Sequence, residues 1–388
     1  MTMTNPAATI TMRPRSAERL LSLDVLRGIT IAFMILVNNN GNEAVAYWPL
    51  KHAAWNGFTP TDLVFPTFLF LVGISTVFST SSRLTRGASR QTLFFHVLRR
   101  SIVLYLLGLV VNSFPYFHLH TMRFYGVLPR IALCYFIAAS LYLISPGWRD
   151  KIVLSIVALA GYWVLMCFVP VPGYGVPGRD VPLLDHDANL TAWLDRQIFS
   201  ASHLYEHTRD PEGLLSTLPA VATTLIGMLT GMWLQTERAI SSKIKGILVA
   251  GFAGVVLGGL WNFTFPINKK LWTSSYVLFA AGFSLLLLAL CLVMVDRRKS
   301  SVKSRFLAPW VVFGTNAIAA YVFSELLQST LNSIPVREGQ NLQRWIYLLI
   351  QHVVPNLAFA SLLYSVGFVI VCWVFVDVLY RRNIFLKV

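Results

Sequence analysis

Apolar runs of about 20 residues, separated by short polar or basic segments, recur along almost the whole chain, and each is long enough to cross a hydrocarbon core of ~30 Å. The pattern predicts ten membrane spans, at residues 22–40, 61–82, 94–113, 124–145, 151–170, 214–235, 246–266, 272–295, 307–330 and 357–380. Two stretches break the rhythm. Residues 341–355, NLQRWIYLLIQHVVP, are too short and too polar to span and read as an interfacial or re-entrant helix. Residues 171–213 open rich in Pro and Gly, then turn amphipathic and acidic, with Asp180, Asp185, Asp187, Asp195, Glu206, Asp210 and Glu212. A loop of this length in a compact protein is usually functional or disordered; its WLDRQIF patch predicts a short surface helix and hence order. No repeat of 20–50 residues and no low-complexity tract interrupts the series. The fold class is therefore all-α and polytopic, with a tail at 1–20 and a single transmembrane domain at 21–388.

Charge orients this domain. With the N-terminus in the cytoplasm, 22 of the 32 basic residues fall in cytoplasmic segments or adjoining helix ends, among them Arg27, Arg83, Arg86, Arg99, Arg100, Arg238, Arg297 and Arg381. That bias places both termini inside and the 171–213 loop outside. A net charge of +15 raises the question of nucleic acid. Its basic residues instead punctuate the ends of apolar runs, and only 13% of the chain is charged, against roughly 25% in soluble domains. The first 20 residues lack an apolar core and read as a cytoplasmic tail rather than a signal peptide. Cys134, Cys167, Cys291 and Cys372 lie singly inside apolar runs, which suits core filling and matches neither a disulfide framework nor a metal site.

The chemistry concentrates around LKHAAWNGFTPTDLVFP, residues 50–66. Thr59-Pro60-Thr61-Asp62 has the form of a helix start, with Thr59 as N-cap, Pro60 at N1 and Asp62 at N3 of a capping box. Asn56-Gly57 supplies a turn. His52 has no comparable structural account: imidazole titrates near 6.5, which suits it to accept a proton at neutral pH. Asn38, Asn39 and Asn40 end the first span, with Gly41 a C′ candidate. A short loop brings Asn38 to the depth of His52, where its amide could donate to an oxyanion. Asp24 and Arg27 are spaced to pair across one helical turn. Within the spans, Arg130, Asn316 and Glu325 mark a water-filled cavity, an ion path or helix-locking pairs.

The runs LSLDVLRGITIAFMILVNNNGN, YWPLKHAAWNGFTPTDLVFPTFLFLVGIS, GVLPRIALCYF, DPEGLLSTLPAVATTLIGMLTG, FPINKKLWTSSYVLF, FGTNAIAAYVFSEL and LYRRNIFLKV resemble the transmembrane acetyltransferase family typified by heparan-α-glucosaminide N-acetyltransferase. The resemblance extends over nearly the whole chain from about residue 20. It implies transfer of an acetyl group from cytoplasmic acetyl-CoA to the amine of a terminal glucosamine-like sugar across the membrane. It also implies a bacterial inner-membrane member with ten spans, and a homodimer. The family's catalytic histidine falls on His52, its functional asparagine on Asn38 and the aspartate of DLVFP on Asp62. Arg27, Arg99 and Arg100 lie near the cytoplasmic surface, where the phosphates of CoA need cations. Arg130 either lines the same cavity or holds helices together. Trp55, Asn56, Ser275, Tyr276 and Asn316 are candidates for binding the acceptor. Direct transfer needs no acyl-histidine, and a route through acetyl-His52 stays open beside it. The alternatives are a transporter or flippase for a glycan or lipid-linked precursor, and an O-acyltransferase of envelope polysaccharide.

Overall fold

A computed structural model describes residues 20–298, 304–337 and 339–386. Residues 1–19, and with them most of the expected cytoplasmic tail, lie outside the described residues. The helices, in order, are α1 (Leu21–Asn38), α2 (Val64–Thr85), α3 (Arg90–Ser113), α4 (Val127–Ile144), α5 (Trp148–Phe168), α6 (Leu190–Ile198), α7 (Thr217–Leu234), α8 (Ile240–Trp261), α9 (Ser274–Cys291), α10 (Ala308–Thr315), α11 (Ala317–Ser333), α12 (Leu342–Val353) and α13 (Leu357–Arg381). A two-stranded ribbon, Pro335–Arg337 with Gln340–Asn341, leads into α12. Among the described residues, nine helical segments are long and apolar enough to cross a membrane, and α10 with α11 make a tenth if they count as one span. The protein is a polytopic all-α membrane protein.

The apolar runs sort into two kinds of helix. α2, α7 and most of α1 and α9 are buried among their neighbours. On α3, α5, α8 and α13 the outward positions are apolar and open, as Ile102, Leu106, Ile156, Val249, Phe252 and Ile370 illustrate, the faces that lipid tails would cover. Close approach at the centre depends on small residues. A Cβ on Gly28 would meet the Trp310 carbonyl oxygen at 1.7 Å, and one on Gly314 would meet that of Asp24 at 1.9 Å, so α1 and α10 touch backbone to backbone.

Two local expectations are corrected and two hold. The ninth span is not one helix: it breaks at Asn316 and bends by 83°. Backbone groups freed inside a bilayer need new partners, and Asn316 has them, its N–H donating to Phe313 and its carbonyl accepting from Ala320. Gly41 is placed by crowding rather than by a left-handed turn, since a Cβ there would come within 2.6 Å of the Tyr347 ring. The 171–213 loop is ordered, with α6 as its helix, and α12 is short and amphipathic, covering the end of α1 through Gln343 Nε2 on the Asn40 and Gly41 carbonyls.

Candidate functional site

Two polar constellations occupy opposite ends of the helix bundle. The first is a basic cavity of about 860 Å³ between α1, α2, α3, α4 and the α10–α11 break. Arg27, Arg83, His96, Arg99 and Arg100 line it together with Phe68, Leu104, Ile131 and Ile318. Its shape follows from helical periodicity. Phe68, Leu71, Val72, Ser75, Thr76, Ser79 and Arg83 form one stripe along α2, and His96, Arg99, Arg100 and Val103 one stripe along α3. Phe68 and Arg83 are about 22 Å apart along the helix axis, and Asp62 lies about 9 Å beyond Phe68. The cavity thus runs from the bundle's basic end toward the other constellation.

The cations of this cavity are not equivalent. Arg27 is held: it donates to Asp24 at 3.0 Å, to the Gly314 carbonyl at 3.2 Å and to Ser75 Oγ at 2.8 Å, tying α1, α2 and α10 together. Arg100 stacks over Tyr135 at 4.8 Å, and its buried Nε has no hydrogen-bond partner. Arg83, Arg99 and Arg100 form no ion pair among the described residues. Asp24 also lines the cavity and answers Arg27, which leaves Arg83, Arg99 and Arg100 as an excess of positive charge over apolar walls, suited to a polyanionic head joined to an apolar arm. Arg83 and His96 were missed by the sequence reading. Their signal is spacing, for His96 sits one turn before Arg99 and Arg100.

The second constellation surrounds His52. The chain from α1 to α2 is a run of short 3₁₀ turns ending in Pro60–Leu63, where the expected capping box forms. Asp62 Oδ2 accepts from the Thr59 N–H at 3.0 Å and from the Ala53 N–H at 3.0 Å. Its other oxygen lies 2.6 Å from His52 Nδ1. Capping and orientation therefore fall to the same carboxylate. Asp62 is buried, with only 1% of its side chain exposed, while His52 is 37% exposed. A carboxylate against Nδ1 keeps the proton on that nitrogen and leaves Nε2 as the free base. Tyr276, fully buried, donates to the Asp62 carbonyl at 2.5 Å. The predicted turn is present too: Gly57 has φ +97°, and its N–H donates to the Ile267 carbonyl at 2.7 Å.

Asn38 is exposed at the last position of α1, two residues before Asn40, whose Nδ2 donates to the Leu50 carbonyl at 3.3 Å and so ties the end of α1 to the His52 loop. Asn38 and Tyr321 are the polar neighbours of Glu325 on α11. Asn39 turns back onto the Ile35 carbonyl and is buried.

The acidic loop closes over this end. Arg123 is clamped by Asp210 at 2.6 Å and by Glu212 at 2.5 Å. Burial alone would raise the Glu212 carboxyl, but Arg123 prevails and lowers it. Burial depresses the Lys269 ammonium against the pull of Glu212 and Asp62. Trp55 stacks on His186 at 3.8 Å and donates to the Leu184 carbonyl at 2.9 Å, with Arg209 over its ring. The sequence candidates for acceptor binding thus have mixed placements. Asn56 lies exposed beside His52, accepting from Asn268 at 3.2 Å. Trp55 anchors the loop, and Ser275 and Tyr276 are fully buried supports. Asn316 is at the basic end, hydrogen-bonded to residues 384 and 386. Arg130 stands apart from the other arginines, donating to the Gly213 carbonyl at 2.9 Å and to Ser216, with its guanidinium 5.2 Å from the Trp272 ring centroid. It pins the loop's exit to α4.

One loop carboxyl carries a pH prediction. Asp195 is fully buried, one oxygen accepting from the Leu214 N–H at 3.1 Å, with the Tyr125 hydroxyl as its polar side-chain neighbour. Burial raises it to about 7, with Asp210 adding to the rise. A raised folded-state value means that this carboxyl's contribution to stability is complete below its unfolded value of 3.8 and is lost as pH climbs through about 7. Asp195→Asn, which mimics the protonated form, is expected to flatten the decline in thermal midpoint between about pH 4 and pH 7. An unchanged pH slope in the variant would remove Asp195 from the account.

Among the described residues no group of three or more His, Cys, Asp or Glu side chains is placed to hold a metal ion. The bundle therefore defines a class: a multi-pass membrane protein with a basic cavity at one end and a carboxylate-tethered histidine at the other. The chain belongs to the heparan-alpha-glucosaminide N-acetyltransferase family, whose catalytic-region model matches residues 19–259. It is 29% identical over 432 residues to the heparan-alpha-glucosaminide N-acetyltransferase of Mus musculus, covering 97% of this chain and 61% of that protein. Against the Homo sapiens protein of the same name it is 29% identical over 430 residues, covering 95% and 60%. The chain thus spans about 60% of the length of these curated relatives.

Proposed function

We propose that the protein is a transmembrane acetyltransferase of a bacterial cytoplasmic membrane, with residues 21–388 acting as one domain. In this reading the basic end faces the cytoplasm and takes acetyl-CoA, and the His52 end receives the amine of an extracytoplasmic, glucosamine-like sugar. The carrying observation is the line from the unpaired arginines along α2 to the Asp62–His52 pair. Arg83, Arg99 and Arg100 suit the phosphates, and the apolar inner walls suit the pantetheine arm. The acceptor nitrogen attacks the thioester carbonyl, and its proton passes to His52 Nε2. The C–N bond forms, the C–S bond breaks, and the thiol leaves on the donor side with a proton. Asn38, exposed at the same level, is suited to donate to the tetrahedral oxyanion.

Exchanging two arginines tests the donor half. Arg99→Gln/Arg100→Gln is expected to weaken acetyl-CoA binding by about two to four orders of magnitude, since each arginine gives up a hydrogen bond to a charged group of roughly 1.5–3 kcal/mol. Calorimetric titration of the purified protein measures it, and unchanged affinity would remove the cavity from the donor path. The acceptor half is tested by incubating wild type with acetyl-CoA and a panel of amino sugars, with amide and ester products separated by base lability. The break at Asn316 gives a transporter reading one observation of its own, because broken helices line many transport sites. That reading requires sugar uptake into proteoliposomes without consumption of acetyl-CoA.

A further inference from the structure

Asn316 was an acceptor-side candidate by sequence, and its place at the basic end leads elsewhere. After α13 the chain reverses at Asn383, which takes a left-handed conformation with φ 56°, a conformation that asparagine tolerates better than most residues. This turn carries residues 384–386 back over the cavity, where Phe385 and Leu386 form part of its lining. Asn316 holds them there with both ends of its amide. Its Nδ2 donates to the Ile384 carbonyl at 3.1 Å, and its Oδ1 accepts from the Leu386 N–H at 3.1 Å. Only 1% of Asn316 is exposed, and its chain neighbours Thr315 and Ala317 line the cavity whereas it does not. A membrane span thus breaks at the residue whose side chain substitutes for a strand partner of the C-terminal segment.

We propose that residues 384–386 are a strap forming one wall of the donor cavity, and that Asn316 is the positioning residue that holds this strap. Donor affinity then depends on a side chain that does not face the donor. The inference rests on the reading of this cavity as the acetyl-CoA site, and it adds to that reading how the cavity's wall is built. An amide is needed because the strap presents one carbonyl and one N–H to a single buried side chain. Leucine has the same size and offers neither partner, leaving two backbone groups unsatisfied.

The test is acetyl-CoA binding to the full-length protein, read as Kd beside thermal midpoint, for wild type, Asn316→Leu, Phe385→Ala and the double variant. Asn316→Leu is expected to raise Kd about tenfold, the size expected for two backbone hydrogen bonds. Phe385→Ala, at a position 39% exposed where folding tolerates the change, is expected to raise it severalfold. With the strap released, the second change has nothing further to remove, so the double variant should match Asn316→Leu rather than multiply the two effects. A purely structural defect would lower the midpoint and leave the two changes independent. If Asn316→Leu and Phe385→Ala keep the wild-type Kd while Arg99→Gln/Arg100→Gln loses binding, the strap is wrong and the donor cavity stands. If wild type itself binds no acetyl-CoA, both fall together.

Discussion

His52→Ala is expected to lower acetyl transfer by about 10²–10⁴-fold, the usual contribution of a positioned general base, while leaving acetyl-CoA affinity at its wild-type value. The split between the two readouts follows from geometry. His52 sits in the loop before α2, beyond Asp62, whereas the cavity's arginines lie in the first halves of α1 and α3 and, for Arg83, at the far end of α2. The fold should tolerate the change, because His52 is 37% exposed and makes one side-chain hydrogen bond. Turnover of a reactive amino sugar, beside a binding titration, measures both quantities. Full transfer by a folded, donor-binding variant would exclude His52 as the base. Trapping of labelled acetyl-enzyme by wild type in the absence of acceptor would instead support a route through acetyl-His52.

Asp62→Asn is expected to lower turnover by about 10³–10⁴-fold, as when a carboxylate that fixes a histidine tautomer is replaced by its amide. The direction of the amide is dictated locally. Asp62 Oδ2 accepts from two backbone N–H groups, those of Ala53 and Thr59, so the carbonyl oxygen of asparagine must take that position. The NH₂ then faces His52 Nδ1, which has to become the acceptor. The ring proton moves to Nε2, and the base is blocked without loss of the capping box. A small change in thermal midpoint with a large fall in turnover is the expected signature. Asp62→Ala, by contrast, leaves the two backbone donors unsatisfied and should lower stability as well. Equal damage to stability and turnover in Asp62→Asn would reduce Asp62 to a helix cap.

Much of this is legible in the sequence because lipid imposes simple rules. Span length, the scarcity of charge within spans and the basic residues at their ends are local properties, and the predicted spans fall on the observed helices nearly throughout. The capping box at Thr59–Asp62 was equally local: one side chain, one backbone group and a proline at N1. The family signature added which histidine, asparagine and aspartate to watch.

The remainder depended on residues far apart in the chain. Nothing near Asn316 announces that its amide will meet residues 384 and 386, since that contact exists only once α13 packs beside the α10–α11 break. Arg130 and Arg100 look alike as arginines in apolar runs, yet one pins the acidic loop and the other lines the cavity. Trp55 beside His52 looks like a sugar platform until the loop's His186 is found stacked on it. By itself the sequence determined a polytopic bundle with a histidine and a capping carboxylate at one helix entry, because hydropathy, capping and turns act over a few residues. Tertiary structure alone decided which polar groups share a cavity, because helix rotation and backbone contacts such as Gly28 on Trp310 choose the faces that meet.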